Sequence, residues 1–224
     1  MKKIIVIEGT DCSGKETQTK LLIEKLKNEG IKCVYFSFPN YNSPTGKIIG
    51  GSYLGKKHIG ECLFPEGAVN VDPKVASLYY AADRLYNMNE INSLLEENEI
   101  VFLDRYVFSN MAHQGGKLEN KNERLEMFKW LEELEFNLLK LPKPEIKIFL
   151  HMPFECSNKL KENRIEEADE HEKNQHHLIN AEKTYLEIAE LYNFDIIECS
   201  KNGNIKTIDE INEELMITIK KYIK

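Results

Sequence analysis

Short apolar runs alternate along this chain with longer amphipathic stretches. Five runs rich in β-branched or aromatic residues predict strands at residues 4–7, 33–38, 100–103, 146–150 and 194–198. The stretches between them predict helices at residues 15–28, 72–97, 122–139, 175–192 and 208–222. Strands that alternate with helices need crossover connections. The pattern therefore predicts an α/β fold with a five-stranded parallel sheet and helices on both faces.

Two segments interrupt this rhythm. Residues 40–71 are rich in Gly, Pro, Ser and Asn, which predicts a surface excursion around a short helix. Asp72 and Pro73 then predict an N-cap followed by proline in the first helical position. Residues 159–175 are dense in charge, so we expect them to be solvated. They form either a solvated helix face or a mobile lid over a phosphate site.

Composition narrows the class of protein. The chain has 224 residues, 42% of them apolar and 30% charged, and we expect one domain over residues 1–224. It has no apolar run long enough to cross a bilayer, and its net charge of −7 argues against a nucleic-acid polymer as partner. Its five cysteines include no C-x-x-C pair, so neither a disulfide framework nor a cysteine zinc site is indicated. We expect reduced thiols and a cytoplasmic protein.

The strongest local motif is EGTDCSGKET, which begins at Glu8 between a predicted strand and a predicted helix. Glycines there let backbone N–H groups turn toward phosphate oxygens, and Lys15 supplies a charge for the β- and γ-phosphates. The predicted ATP-binding residues are Gly9, Thr10, Asp11, Cys12, Ser13, Gly14, Lys15, Glu16 and Thr17. Cys12 is interpreted as filling space, because no base that would activate its thiol is evident.

Glu16 departs from the G-x-x-x-x-G-K-[ST] pattern, since it stands where Ser or Thr would hold Mg²⁺. Either Thr17 supplies that hydroxyl, or Glu16 points outward and leaves the metal to waters and a distant aspartate. Asp104 is the candidate aspartate, because it ends a buried strand at the carboxyl edge of the predicted sheet. The adjacent Arg105 can clamp a phosphate with two parallel hydrogen bonds.

Phosphate-binding loops serve GTPases, motor ATPases and small-molecule kinases. A GTPase needs an N-K-x-D motif after a buried strand, whereas residues 120–123 read NKNE in a polar stretch. That string is interpreted as coincidence. The string FLDRYVFSNMAHQGG, which begins at Phe102, resembles the D-R-[YF]-x-x-S-x-x-A-[YF]-Q signature of the thymidylate kinase family. The matching residues are Asp104, Arg105, Tyr106, Ser109, Ala112 and Gln114.

A second match lies at Tyr80 and Arg84, which share one helix face. The resemblance implies that this tyrosine stacks on thymine and that the arginine donates to the thymine O4. The plainer alternative is a core-facing tyrosine with a surface arginine paired to a neighbour such as Asp83. His113 replaces an aromatic residue of the signature, which bears on how the edge of the sugar is screened.

Further residues complete the acceptor site that the resemblance implies. Phe38 precedes Pro39, as in the family, but Asn40 stands where many members carry an arginine, and Tyr41 follows it. The substrate-binding residues implied by the resemblance are Asp11, Phe38, Tyr41, Tyr80, Arg84, Arg105, Asn110, His113 and Gln114.

The resemblance implies that the catalytic charge over the transferred phosphoryl group comes from the lid. Arg164 is the candidate, with Lys159, Lys161 and Lys173 as neighbours, although the surrounding acidic residues could equally pair with it. His176 and His177 are interpreted as solvated rather than as metal ligands, since no i, i+4 partner or cysteine cluster accompanies them.

The resemblance implies a P-loop NTPase fold and an enzyme that transfers the γ-phosphoryl group of ATP to dTMP, with Mg²⁺ as cofactor, as a homodimer. Lys15, Arg105 and Arg164 are its predicted catalytic residues. Three alternatives stay open: a kinase for another monophosphate or for a deoxynucleoside, a nucleotide-binding regulatory module that has lost catalysis, and a structural protein that binds no nucleotide.

Overall fold

The computed structural model describes residues 2–161 and 169–223. Its strands are β1 (Lys3–Gly9), β2 (Cys33–Ser37), β3 (Ile100–Asp104), β4 (Ile146–His151) and β5 (Asp195–Glu198), followed by a small antiparallel hairpin of β6 (Ser200–Lys201) and β7 (Asn204–Ile205). The first five form one parallel sheet in the order β2-β3-β1-β4-β5. All five predicted strands are confirmed.

The helices are α1 (Lys15–Asn28), α2 (Pro44–Lys47), α3 (Pro73–Tyr86), α4 (Met88–Glu97), α5 (Val107–Gly115), α6 (Lys121–Glu132), α7 (Phe154–Lys161), α8 (Gln175–Leu191) and α9 (Ile208–Lys220). Wider π-type turns cover Ile48–Tyr53 and Glu133–Leu138, and a 3₁₀ turn covers Ala68–Asn70. No helix in the described ranges is long and apolar enough to cross a membrane.

Helices cover both faces of the sheet, as predicted. Alternate side chains of β1 point to opposite faces, because successive residues of a strand do so. Ile4 and Val6 pack with α5, α6 and α8, whereas Ile5 and Ile7 pack with α1 and α9. The central strands β1 and β3 are buried almost throughout. Their apolar runs are therefore the pattern of strands covered on both sides.

The predicted helix over residues 72–97 is two helices, separated at Asn87. The Asn87 side chain donates to the backbone oxygen of Asp83 at 2.7 Å and to its carboxylate at 3.0 Å. An asparagine that bonds to nearby backbone in this way competes with the helix ladder. The predicted start of α3 is confirmed, because the Asp72 carboxylate accepts from the backbone N–H groups of Lys74 and Val75.

The prediction that residues 40–71 form a surface excursion is wrong in part. The expected short helix is present as α2, but the segment also has a small apolar core of its own. Ile49 and Tyr53 are fully buried there, and α3 contributes Ala76 to the same cluster. The segment is rich in glycine and proline, yet part of it is buried. It forms one wall of the cavity described below.

Candidate active site

The loop between β1 and α1 runs close to other backbone. A β-carbon on Gly9 would lie 2.5 Å from the Ser13 hydroxyl oxygen and 2.9 Å from the backbone oxygen of Leu150. Gly14, immediately before α1, has a φ of 77°, in the region that favours glycine. Glycine is thus required at both positions, and the loop leads directly into a helix N-terminus. This is the arrangement of a phosphate-binding loop.

The Lys15 side chain is buried beneath this loop. Its ammonium donates to the backbone oxygen of Gly9 at 3.0 Å and to that of Thr10 at 3.1 Å. Burial lowers the pKa of Lys15, and the nearby positive charge of Arg105 lowers it further. The carboxylates of Asp104, Asp11 and Glu8 act in the opposite direction. The cation is therefore held in the loop, at the position where an anion would be bound.

Glu16 points away from the loop. Its side chain is 65% exposed and forms an ion pair with Lys20 one turn later on α1. Thr17 is also exposed. Asp104, by contrast, is buried; its Oδ2 accepts from the Tyr35 hydroxyl at 2.8 Å, and its Oδ1 has no hydrogen-bond partner in the described part of the chain. A buried carboxylate oxygen without a partner is suited to a cation or to its bound water.

Glu8 was not predicted as a site residue, yet it connects the loop strand to the start of α5. Its fully buried carboxylate accepts from the backbone N–H groups of Tyr106 at 2.8 Å and Ser109 at 3.0 Å. Burial raises the pKa of Glu8, and the hydrogen bond from Ser109 opposes that rise. The signal was available, because an acid inside an apolar strand must find partners when it is buried.

Arg105 lies between the loop and the cavity beside it. Its backbone has a φ of 64°, an uncommon value for a residue other than glycine. The guanidinium forms an ion pair with Asp11 of the loop. It also donates to the Tyr185 hydroxyl on α8 at 3.1 Å and to the Ser109 hydroxyl at 3.3 Å. These contacts fix a cation at the boundary between two binding regions.

One cavity brings together all the residues predicted to bind the acceptor: Asp11, Phe38, Tyr41, Tyr80, Arg84, Arg105, Asn110, His113 and Gln114. Its other lining residues were not predicted: Pro39, Leu54, Lys56, Asp83, Tyr106, Ser109, Asp169, His171 and Glu172. Lys56 lies 5.3 Å from the centre of the Tyr41 ring. Lys56 therefore brings a cation to a cavity in which Asn40 replaces the arginine that many family members carry.

Tyr80 and Arg84 both line this cavity from α3, but the arginine is not on the surface. Arg84 is 2% exposed and makes a two-point ion pair with Glu135, which is fully buried. Burial lowers the pKa of Arg84, but the charge and hydrogen bonds of Glu135, with smaller contributions from Tyr106 and Asp83, leave the pKa raised overall. The alternative pairing with Asp83 is wrong. Asp83 instead accepts from the Asn40 N–H at 3.0 Å and the Thr45 hydroxyl at 2.7 Å.

The cavity also contains polar atoms without partners. The side-chain oxygen of Asn110 and both amide atoms of Gln114 are buried and make no hydrogen bond to any described residue. Such atoms are costly unless a ligand or water pairs with them. They offer one donor and two acceptors in the cavity that Tyr80 also lines. A flat heterocycle with both donors and acceptors along its edge would satisfy them.

Comparison with known proteins agrees with this geometry. The thymidylate kinase family model matches residues 7–211. The chain belongs to the thymidylate kinase family. It is 31% identical over 212 residues to the probable thymidylate kinase of Methanocaldococcus jannaschii, a match that covers 95% of this chain and 93% of the relative. The thymidylate kinase of Plasmodium falciparum is 34% identical over 151 residues, 67% of this chain and 62% of that protein.

Solved structures extend the comparison to the fold. The structure of thymidylate kinase from Candida albicans has a TM-score of 0.75 and 25% sequence identity, and covers 98% of this chain and 92% of its own. The P-loop NTPase fold predicted for the chain is therefore confirmed. Glu16, the departure from the phosphate-loop motif, lies in solvent, whereas His113, a departure from the thymidylate kinase signature, lines the cavity.

Of the predicted lid, residues 159–175, the structure describes only 159–161 and 169–175. Arg164 lies outside the described residues, so its role stays a prediction. Lys159 is exposed on α7, and Lys173 is exposed beside Glu170 with 2.8 Å between their charged atoms. Lys161 ends α7.

The expectation that residues 159–175 are solvated is wrong at two positions. Asp169 and His171 are buried, at 8% and 6% exposure, because the chain here folds against the segment that contains Leu54. His176 is exposed, as expected. The interpretation of His177 as solvated is wrong, because its ring is 4% exposed and packs on His113 and His171.

The Arg84–Glu135 pair makes a prediction about stability. Glu135→Leu leaves a buried guanidinium without its partner, which should lower the free energy of unfolding by about 3–5 kcal/mol. The double variant Arg84→Met/Glu135→Leu removes both charges and should recover most of that loss. Equilibrium urea unfolding measures both values. Equal losses in the single and double variants would contradict the pairing.

Proposed function

We propose that this chain transfers the γ-phosphoryl group of ATP to dTMP, giving ADP and dTDP. The observation that carries the proposal is the position of Arg105. This cation is ion-paired to Asp11 of the phosphate-binding loop and at the same time lines the cavity that holds Tyr80 and Arg84. A donor site and an acceptor site therefore share one positive charge, as direct transfer between two phosphates requires.

The chemistry needs no covalent enzyme intermediate. An oxygen of the acceptor phosphate attacks the γ-phosphorus in line, the bond from that phosphorus to the β–γ bridging oxygen breaks, and ADP leaves. Lys15 neutralises charge on the donor phosphates, and Arg105 holds the acceptor phosphate. Arg164 stays a candidate for the charge over the transferred group. Positioning and charge neutralisation account for the catalysis.

Recognition of the base falls to residues farther inside the cavity. Tyr80 offers a ring for stacking, which contributes on the order of 1–3 kcal/mol per base. Arg84 is held rigidly by Glu135 and can present a remaining N–H to a base oxygen. The unpaired amide of Gln114 lies in the same cavity. Phe38 and Tyr41 line the same cavity, and we assign them to contacts with the sugar and phosphate.

We place Mg²⁺ at Asp104, where the unpartnered Oδ1 fits a cation or its bound water. Bound there, the ion would neutralise charge on the ATP phosphates. Thr17 was the predicted second ligand and stays a prediction. The outward orientation of Glu16 keeps its carboxylate out of the phosphate-binding loop, so the departure from the loop motif does not oppose nucleotide binding.

We further propose that the chain acts as one thymidylate-kinase-like domain, with residues 159–175 as its lid, in the cytoplasm and as a homodimer. Support for the dimer comes from α3, where Val75, Leu78 and Leu85 form an exposed apolar stripe, 42–50% accessible. Such stripes mark protein interfaces. Sedimentation would detect the dimer, and a mass of 26.1 kDa would contradict it.

A substrate panel tests the proposed reaction. With ATP and Mg²⁺ present, ADP release should be fastest with dTMP, and thymidine should give none, because it leaves the phosphate site at Arg105 unfilled. Preference for another monophosphate would support that alternative acceptor. ATP binding without ADP release on any acceptor would favour the regulatory module suggested by Glu16, Asn40 and His113.

Loss of Lys15 tests the donor site. Lys15→Ala should lower turnover by about 10²–10³-fold, the scale of one preorganised charge donor. The matched control is Lys27→Ala, which removes an exposed lysine from the last turn of the same helix and should leave turnover unchanged. Steady-state rates with saturating dTMP measure the effect. Unchanged turnover in Lys15→Ala would refute the assignment of this residue.

A further inference from the structure

Three histidines from separate parts of the chain meet beside the acceptor cavity, which His113 and His171 line. His113 lies on α5, His171 lies in the buried segment before α8, and His177 lies in the first turn of α8. One ring nitrogen from each lies within 4.8 Å of the others. Three imidazoles so close together are unusual in a protein interior, since each brings polar atoms that need partners.

We infer that His113, His171 and His177 form a binding site for a divalent transition-metal ion of the zinc class. This inference goes beyond the proposed kinase reaction, and it concerns a site separate from the Mg²⁺ position at Asp104. Imidazole nitrogens are preferred ligands of zinc, nickel and copper ions, and they are poor ligands of Mg²⁺. Three histidines with one open position are a common zinc ligand set.

The distances fit such an ion after a small contraction. Nδ1 of His113 lies 3.2 Å from Nε2 of His177. Two nitrogens that each lie 2.0–2.1 Å from a tetrahedral ion are about 3.3 Å apart. The nitrogens of all three rings lie within 4.8 Å of one another, so the nitrogen of His171 has to come closer to the other two by no more than about 1.5 Å.

The surroundings orient the ligands. Nε2 of His171 lies 3.1 Å from the Tyr53 hydroxyl, which leaves Nδ1 of the same ring for the ion. A hydrogen bond of this kind to the far side of the ring is the usual support of a metal-binding histidine. Nε2 of His177 faces Nδ1 of His113, so a nitrogen of each of these rings is directed toward the same point.

Three cations oppose an ion at this position. Lys117 faces His171 and His177, and Nη1 of Arg105 lies 3.4 Å from Nε2 of His113, on which the charge of Lys15 also acts. Lys117 is occupied by the backbone oxygens of Val71 at 2.9 Å and Ala68 at 3.1 Å, and burial lowers its pKa to about 8. The Asp11 carboxylate acts in the favourable direction on all three histidines. We therefore expect moderate affinity.

The competing account is a relay of hydrogen bonds without metal. In it, Arg105 donates to Nε2 of His113, and Nδ1 of the same ring donates to Nε2 of His177. The relay explains the 3.2 Å distance between His113 and His177. It does not include His171, which contacts the other two rings by packing and hydrogen-bonds only to the Tyr53 hydroxyl. An ion would join all three rings, and would thereby link α5, α8 and the segment directly before α8.

Direct binding distinguishes the two accounts. The full chain, prepared without a polyhistidine tag and stripped with EDTA, is titrated with Zn²⁺ in the absence of nucleotide and of Mg²⁺. We expect one equivalent of Zn²⁺ to bind, and Co²⁺ in its place to give the visible absorption of tetrahedral nitrogen ligation. Co²⁺ absorption typical of six oxygen ligands, or no saturable binding, would overturn the inference.

Variants place the site. His177→Gln should reduce Zn²⁺ affinity by more than about tenfold, because it removes a ligand. His176→Gln is the matched control, since this adjacent histidine is exposed and should leave affinity unchanged. Far-UV circular dichroism checks that both variants are folded. Tyr53→Phe removes the hydrogen bond to His171 and is a milder change to the same site.

Equal Zn²⁺ affinity in the two histidine variants would place the bound ion elsewhere and overturn the assignment. Binding is read independently of turnover, so failure of the kinase proposal would leave this test intact.

Discussion

The site depends on the contacts that hold the Arg105 guanidinium in place. This group is contacted by the Asp11 carboxylate of the phosphate-binding loop, the Tyr185 hydroxyl of α8 and the Ser109 hydroxyl of α5. The Glu8 carboxylate holds the same region by accepting hydrogen bonds from two backbone N–H groups at the start of α5. Donor loop and acceptor cavity are therefore joined through a compact set of charges with little exposure to water.

That set of charges is nearly balanced, which matters in a buried environment. Lys15 and Arg105 are positive, while Asp11 and Asp104 offer carboxylates in the same region. Interactions between such groups are stronger inside a protein than at its surface, because water screens them poorly there. Bound phosphates would compete with Asp11 for one guanidinium. The protein thus holds its cations in position with its own acidic groups.

Local patterns in the sequence predict the fold well. Five strands were predicted within a residue or two of their bounds, since apolar runs report burial on both sides of a parallel sheet. The loop from Gly9 to Lys15 and the segment at Asp104 were recognisable because their residue types are dictated by chemistry at strand ends. The same strand ends bring Asp11, Phe38 and Arg105 to one edge of the sheet, where helices α3 and α5 contribute most of the other predicted residues of the cavity.

The contacts that escaped prediction are those between distant residues. Nothing near Arg84 reveals that its partner is Glu135, 51 positions later, presented by a π-type turn. Asn87 divides a helix through a side-chain contact that amphipathic spacing does not register. His171 is buried because the chain folds against Leu54 and Tyr53, and His177 is buried because it packs on His113 and His171. A charge-rich composition there indicated solvent, and tertiary packing decided otherwise.

The Arg84–Glu135 pair has a consequence for how this binding site could change. A substitution of either residue alone leaves an unpaired charge in the interior, so a single step toward another base at this position would also destabilise the fold. Both residues would have to change together, or a nearby group would first have to compensate. Folding stability thus restricts change at Arg84, independently of any demand that the substrate makes.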